Sequence, residues 1–338
     1  MKNKMSKYCS RIGSDRLLVQ GAGGNVSWKD GSIMWIKASG KWLGDALKEN
    51  IFVKVDLEEI KLSVCEGNFA IKVEAIDDTS LRPSIETILH ALMPQKIVVH
   101  IHSVQLLSLL VSVSYVKEIS PYLNHNLTPA FVPYTKPGED LANAVSNALK
   151  ENRLTNIVFL QNHGVVVGGD SIDEVDNILS LLIDAIVENS KKVKPYSILT
   201  EPSASASLFL SKVQNLGYKK LAQKEFDLLC SDNYLYKCLD SHWSYSPDHV
   251  VFLGGESFRF ESIEEFLESN VRPPLVFIAK VGVFVDSSWN EARNEQLLCF
   301  YDLLCSKDLS DGINILSLEE VDELINWESE KFRVQLSK

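Results

Sequence analysis

Ile97-Val98-Val99-His100-Ile101-His102 is a β-branched run carrying two imidazoles two residues apart. Its composition predicts a strand over 96–102. Side chains alternate along a strand, so His100 and His102 share one face while Val99 and Ile101 enter the core on the other. Two imidazoles on one strand face are spaced to chelate a metal ion, although the same pattern describes two polar residues on a half-exposed strand. Downstream, Ile157-Val158-Phe159-Leu160-Gln161-Asn162-His163-Gly164-Val165-Val166-Val167 sets Asn-His-Gly between two apolar runs. That pattern predicts a tight hairpin with His163 in its turn, where Asn and Gly by themselves would account for the turn. If His163 joins His100 and His102, three neutral imidazoles leave positions open on an ion, as catalytic rather than structural sites do.

Upstream of the histidine strand, Arg82-Pro83-Ser84-Ile85-Glu86-Thr87-Ile88-Leu89-His90 predicts a helix over 83–92, with Pro83 in the first turn where a missing N–H costs nothing. Glu86 then sits near the strand's end, where an acidic side chain also suits a helix N-terminus. His90, one turn on, is read as a packed or hydrogen-bonded histidine outside the metal set. Two small-residue segments, Gly21-Ala22-Gly23-Gly24-Asn25-Val26-Ser27 and Lys37-Ala38-Ser39-Gly40-Lys41, offer backbone N–H groups to an anion or serve as plain turns. The first is not a dinucleotide fingerprint, because Val26 stands where the third glycine belongs.

Further strands are predicted at 33–36, 51–55, 156–160 and 164–168, and helices at 104–111, 139–151 and 172–193. Around 194–207 the pattern gives way to Pro195, Pro202 and a Ser/Ala run, which places a domain boundary there and divides the chain into residues 1–200 and 201–338. The second part reads as a smaller α/β unit, with strands at 249–253, 275–279 and 281–285 and helices at 263–269, 290–304 and 318–327.

The chain has 338 residues, 45% of them hydrophobic, enough for a large core and two domains. Its net charge of −11 opposes nucleic acid and anionic lipid, so any phosphate site must be local. Apolar stretches such as 106–113 are about half of the ~20 residues that span a bilayer, so no membrane span is expected. The basic amino terminus lacks the apolar run of a secretory signal, and a cytoplasmic location is expected. Six cysteines without CxxC spacing are read as reduced and mostly buried.

Taken in order, Gly-Gly-Asn-Val-Ser, Ala-Ser-Gly, Pro-Ser-x-Glu, His-x-His and Asn-His-Gly resemble the class II aldolase/adducin family over roughly residues 15–195. The resemblance implies a three-layer α/β/α sandwich around a mixed, largely antiparallel sheet, and a homo-oligomer, usually a tetramer. It implies that His100, His102 and His163 hold Zn²⁺, or Mn²⁺, Co²⁺ or Fe²⁺. Glu86 would transfer the proton, helped by a raised pKa, and Gly24, Asn25, Ser39, Gly40 and Ser84 would hold a sugar phosphate. Ile85 departs from the second serine of many single-function members, and Lys280 and Val281 depart from a glycine-proline pattern. Arg82 to Thr87, Pro247 to Val250, Pro274 to Phe284 and Asn326 to Glu328 are similar to the aldolase half of bifunctional rhamnulose-1-phosphate aldolase/alcohol dehydrogenases. The sequence stops where the dehydrogenase half would begin, so no nicotinamide chemistry is expected. The implied reaction is cleavage of a ketose 1-phosphate to dihydroxyacetone phosphate and an aldehyde. An epimerase, dehydratase or decarboxylase of the same superfamily, and a non-catalytic adducin-like scaffold, are the alternatives.

Overall fold

The computed structural model describes residues 1–124, 126–189, 211–307, 309 and 312–337. Seven strands build the main sheet: β1 (Asn25–Asp30), β2 (Ile33–Lys37), β3 (Phe52–Asp56), β4 (Ile97–Ile101), β5 (Pro129–Val132), β6 (Ile157–Leu160) and β7 (Gly164–Gly169). Their order is β3-β2-β1-β4-β7-β6-β5; β5 and β6 are parallel and the other neighbours antiparallel.

Alternation along the central strands supplies both sheet faces with apolar side chains. Val99, Ile101, Phe159, Val165 and Val167 pack towards helices Lys2–Gly13 and Ile172–Asn189, in one cluster with Met5, Ile12, Leu179 and Ile186. Val98, Val158, Leu160 and Val166 face the other way, against Leu89 of helix Thr87–Leu92 and Leu141 and Val145 of helix Glu139–Glu151. The result is an α/β/α sandwich. All of β4 is therefore buried, and the half-exposed strand allowed by the sequence is not what forms. His100, between Val99 and Ile101, lies on the face that looks towards helix Thr87–Leu92.

A smaller C-terminal α/β region carries the second sheet, of β8 (Lys219–Lys220), β9 (Arg259–Phe260), β10 (Leu275–Ile278) and β11 (Gly282–Val285), in the order β8-β11-β10-β9. One of its faces shares a core with the first part of the chain. Phe277, Val283 and Val285 belong to the same buried cluster as Leu229, Phe300 and Leu303 and as Val104, Leu107 and Val111 of helix Val104–Leu110 and its end. At roughly 25 cal/mol per Å² of apolar surface removed from water, burying residues of this size favours holding the two parts together. The boundary expected at 194–207 lies outside the described residues, as do residues 190–193 of the predicted helix.

Two sequence expectations are corrected. The segment 249–253, apolar and β-branched, belongs to a helix, Pro247–Leu253, rather than to a strand. Local chemistry decides this: Ser246 caps the helix by accepting the His249 N–H, and Pro247 occupies the first turn. The helix expected from Pro83 starts only at Thr87, because Pro83 is held in a β-bridge and Ile85 and Glu86 form a turn ahead of the helix. Ala38 pairs with Pro83 in a β-bridge, and the Ser39 N–H donates to the Arg82 carbonyl at 2.9 Å. Four of the six cysteines, Cys9, Cys230, Cys238 and Cys299, are buried. Among the described residues, no helix is long and apolar enough to cross a membrane.

Candidate metal centre and cleft

Strand register brings the candidate residues together. Asn25 of β1 pairs with His100 of β4, and His100 pairs on its other side with Val166 of β7. The β6–β7 turn places His163 beside them. Its geometry depends on Asn162, which adopts φ +58°, a left-handed conformation that Asn tolerates better than most residues. The Asn162 amide donates to the Tyr245 carbonyl at 2.8 Å and the Asn314 carbonyl at 2.6 Å, so the turn is anchored by the C-terminal region. Gly164 follows because a Cβ there would come within 2.5 Å of the Ile101 carbonyl oxygen and 2.9 Å of the His102 ring.

The three imidazoles are buried and converge. Ring centroids are 4.7 Å apart for His100–His102, 4.9 Å for His100–His163 and 5.1 Å for His102–His163. One nitrogen from each lies within 4.8 Å of the others, a set able to hold a divalent metal. The surroundings set the proton positions on two rings. His100 Nδ1 donates to the Val165 carbonyl at 3.0 Å, which leaves a lone pair on its Nε2, and the Asp248 carboxylate, with Oδ2 3.1 Å from His102 Nδ1, draws the His102 proton to Nδ1 by its charge. Those two Nε2 atoms are 2.9 Å apart. Two lone pairs aimed at each other in a buried site repel unless a cation stands against both, which is the observation that fits this donor set to a metal. His90 Nδ1 instead meets the Ser27 hydroxyl at 2.8 Å, and the ring is outside the cluster.

Glu86 caps the cluster. Its Oε1 is 3.3 Å from His163 Nε2 and 3.5 Å from His100 Nε2, while Oε2 accepts from the Asn25 amide at 2.6 Å. Burial opposes the carboxylate charge, but the rings of His100, His163 and His102 outweigh it and bring the carboxyl down to about 2. The sequence reading expected a raised value; enclosure by imidazoles, invisible in sequence, reverses the direction. Burial drives the histidines the other way, His163 to about 3 and His100 below its ordinary value, so both are neutral near pH 7.

Gly24, Asn25, Ser39, Gly40, Ser84, Glu86, His102 and His163 all line one cleft, with His100 just behind it. Lys37 braces the two small-residue turns from beneath: its buried ammonium donates to the Ala22 carbonyl at 2.8 Å and the Lys41 carbonyl at 2.6 Å. Burial lowers its pKa to about 7. The Ser84 hydroxyl accepts the Glu86 N–H at 3.2 Å, which leaves its own proton available to a ligand.

Sequence reasoning did not find the opposite wall, made by Asp248, Glu330 and Arg333. Glu330 and Arg333 are three residues apart on helix Glu328–Leu336, and their guanidinium–carboxylate contact is 3.2 Å. Arg333 also pairs with Asp248. Burial opposes charge on Asp248 as well, yet Arg333 and then His102 hold it well below the usual carboxylate range. Glu330 is only 2% exposed, and burial outweighs the attraction of Arg333, which is shared with Asp248, so its pKa rises to about 7.

A folded-state pKa above the unfolded value favours folding while the group is protonated, and that contribution disappears as pH rises from about 4.5 through about 7. We predict that Glu330→Gln lacks this loss and gains roughly 2–3 kcal/mol relative to wild type between about pH 5 and pH 8. Thermal unfolding at both pH values checks it; an equal difference between the two proteins at each pH would show that Glu330 does not titrate in this way.

The family model for the class II aldolase and adducin N-terminal domain matches residues 3–185, more than half of the chain. The chain is 30% identical over 176 residues to an uncharacterized oxidoreductase, YuxG, of Bacillus subtilis, covering 47% of this chain and 25% of that protein. It thus spans about a quarter of that relative's length. It is 28% identical over 175 residues to L-fuculose phosphate aldolase of Methanococcus maripaludis, covering 50% of this chain and 84% of the relative. Among solved structures, an N-terminal class II aldolase domain from Thermoplasma acidophilum is 26% identical, with 54% of this chain and 90% of that one covered and a TM-score of 0.44.

Proposed function

The chain belongs to the class II aldolase and adducin family, and on that premise we propose that it is a metal-dependent lyase cleaving a ketose 1-phosphate to dihydroxyacetone phosphate and an aldehyde. The observation that carries the proposal is the convergence of the three imidazoles with an ionised Glu86 in a cleft that glycine and serine turns also line. His100, His102 and His163 would hold the ion, Zn²⁺ by the preference of neutral imidazoles, with Mn²⁺, Co²⁺ or Fe²⁺ as alternatives. A bound ion would supply Lewis acidity, drawing off the negative charge that develops on the ketose oxygens.

The remaining roles fall to the chain itself. Asn25 holds one oxygen of Glu86 and leaves the other, beside the His163 and His100 Nε2 atoms, unengaged by a donor, so that the ionised carboxylate would serve as base towards a substrate held there and return the proton. Gly24, Asn25, Ser39, Gly40 and Ser84 would bind the phosphate through N–H and hydroxyl donors over the buried ammonium of Lys37. A bound phosphate would favour the protonated form of Lys37, whose pKa burial brings to about 7, and so offset locally the repulsion expected from the chain's net charge of −11. A sugar phosphate is also supported by the name of the Methanococcus relative, an L-fuculose phosphate aldolase, while rhamnulose 1-phosphate is proposed only from the resemblance of segments such as Arg82 to Thr87. The proposal includes a homo-oligomer, tetrameric by family resemblance, and a cytoplasmic setting.

Incubating metal-loaded protein with L-rhamnulose 1-phosphate, L-fuculose 1-phosphate and related ketose 1-phosphates should release aldehyde and dihydroxyacetone phosphate. Metal-loaded protein that releases neither from any of them would sink the lyase reading. Formation of an epimeric sugar phosphate instead would move the chain to the epimerases.

A further inference from the structure

We propose that Asp248 is a positioning residue for the metal centre and that the C-terminal region thereby completes a site whose ligands all come from the first part of the chain. The inference rests on the reading of His100, His102 and His163 as metal ligands. Asp248 Oδ2 lies 3.1 Å from His102 Nδ1, and the two residues are 6% and 5% exposed. A carboxylate this close to Nδ1 draws the ring proton to that nitrogen by its charge and leaves Nε2 as the electron-pair donor towards the ion. It also makes that nitrogen a stronger base.

The contact is built rather than incidental. Asp248 is held from behind by the Arg333 guanidinium, and the guanidinium is held in turn by Glu330. The helix carrying Asp248 is started by the Ser246 cap and seated by Phe252 in the same apolar cluster as Phe300. On the other side, Gly23 leaves the room that the pair needs: a Cβ at this position would be 2.9 Å from Asp248 Oδ2 and 3.1 Å from His102 Nδ1. A glycine in the first small-residue turn therefore has a second reason besides ligand binding. Asp248 lies 63 residues beyond the end of the family match at residue 185, so the match alone does not contain the complete centre.

The test is metal affinity and the visible spectrum of bound Co²⁺, measured on the 338-residue wild-type chain, Asp248→Asn and the double variant Asp248→Asn/Arg333→Gln. The double variant is included because Asp248→Asn leaves a buried guanidinium without one of its partners, which destabilises. Both variants are expected to bind Zn²⁺ and Co²⁺ about 10–100-fold more weakly, with an altered Co²⁺ spectrum and unchanged far-ultraviolet circular dichroism. Wild-type affinity and an unaltered Co²⁺ spectrum in whichever variant folds would overturn the role of Asp248 while leaving the metal centre in place. Wild type that takes up neither ion would instead overturn the metal reading, and this inference with it.

Discussion

His100→Ala should purify with almost no metal, whereas wild type should carry about one divalent ion per chain, and lyase activity should fall by on the order of 10³-fold or more. His100 is the deepest of the three rings, fully buried on β4, with Nδ1 fixed on the Val165 carbonyl so that Nε2 has one direction available. Its loss leaves two imidazoles, too few for a tight site, and abolishes the charge stabilisation worth several kcal/mol that the ion would give. Binding to the folded state alone stabilises it, by about 2.7 kcal/mol at a hundredfold excess over Kd, so metal should raise the wild-type Tm and leave that of His100→Ala where it was. Elemental analysis and unfolding with and without Zn²⁺ check both effects. A variant that retains stoichiometric metal would exclude His100 as a ligand.

The parts of this site that can be read in sequence are those whose geometry is local. Alternation in β4 turns His100 to one sheet face, with His102 one residue past the strand's end and its ring 4.7 Å from that of His100, and Asn162-His163-Gly164 has the chemistry of the turn that the left-handed Asn162 confirms. The Glu86 segment illustrates the boundary of such reasoning. Its sequence places the carboxylate near the strand, but the late helix start follows from the Ala38–Pro83 bridge, a contact between residues 45 apart. The direction of its pKa follows from three rings that only the folded sheet collects around it.

The opposite wall was not legible for the same reason. Asp248 looks like a helix N-terminal acid after Ser246 and Pro247, and Glu330 and Arg333 look like an ordinary i,i+3 pair on a charged helix. Nothing local distinguishes them from exposed charges. What buries them is the apolar core common to helix Val104–Leu110 and the C-terminal region, which closes that region against the histidines. The strand wrongly expected at 249–253 has a similar origin: its β-branched composition reflects burial on all sides of a short helix, where His249 packs among Trp243, Tyr245 and Phe300.

Glu86→Gln should separate chemistry from metal binding. The side chain keeps its shape but can no longer take a proton, so kcat should drop by about 10²–10⁴-fold. KM should change far less, because the phosphate-lining turns are untouched. Asn25 donates to one oxygen of Glu86, so the glutamine must turn its own oxygen to Asn25 and its NH₂ group towards His100 and His163, whose Nε2 atoms lie 3.5 and 3.3 Å from the present Oε1. That NH₂ can hydrogen-bond the lone pairs an ion would use, so a few-fold weaker metal affinity is expected from glutamine in particular. Glu86→Ala has no such competitor and should lose activity to a similar extent while binding metal at least as well as Glu86→Gln. Metal occupancy and steady-state kinetics of the two variants at saturating Zn²⁺ make the comparison. Activity within a few-fold of wild type in either fully loaded variant would remove Glu86 from the proton transfer and require another base in the cleft, for which Glu330 and Lys37, both with pKa values near 7, are candidates.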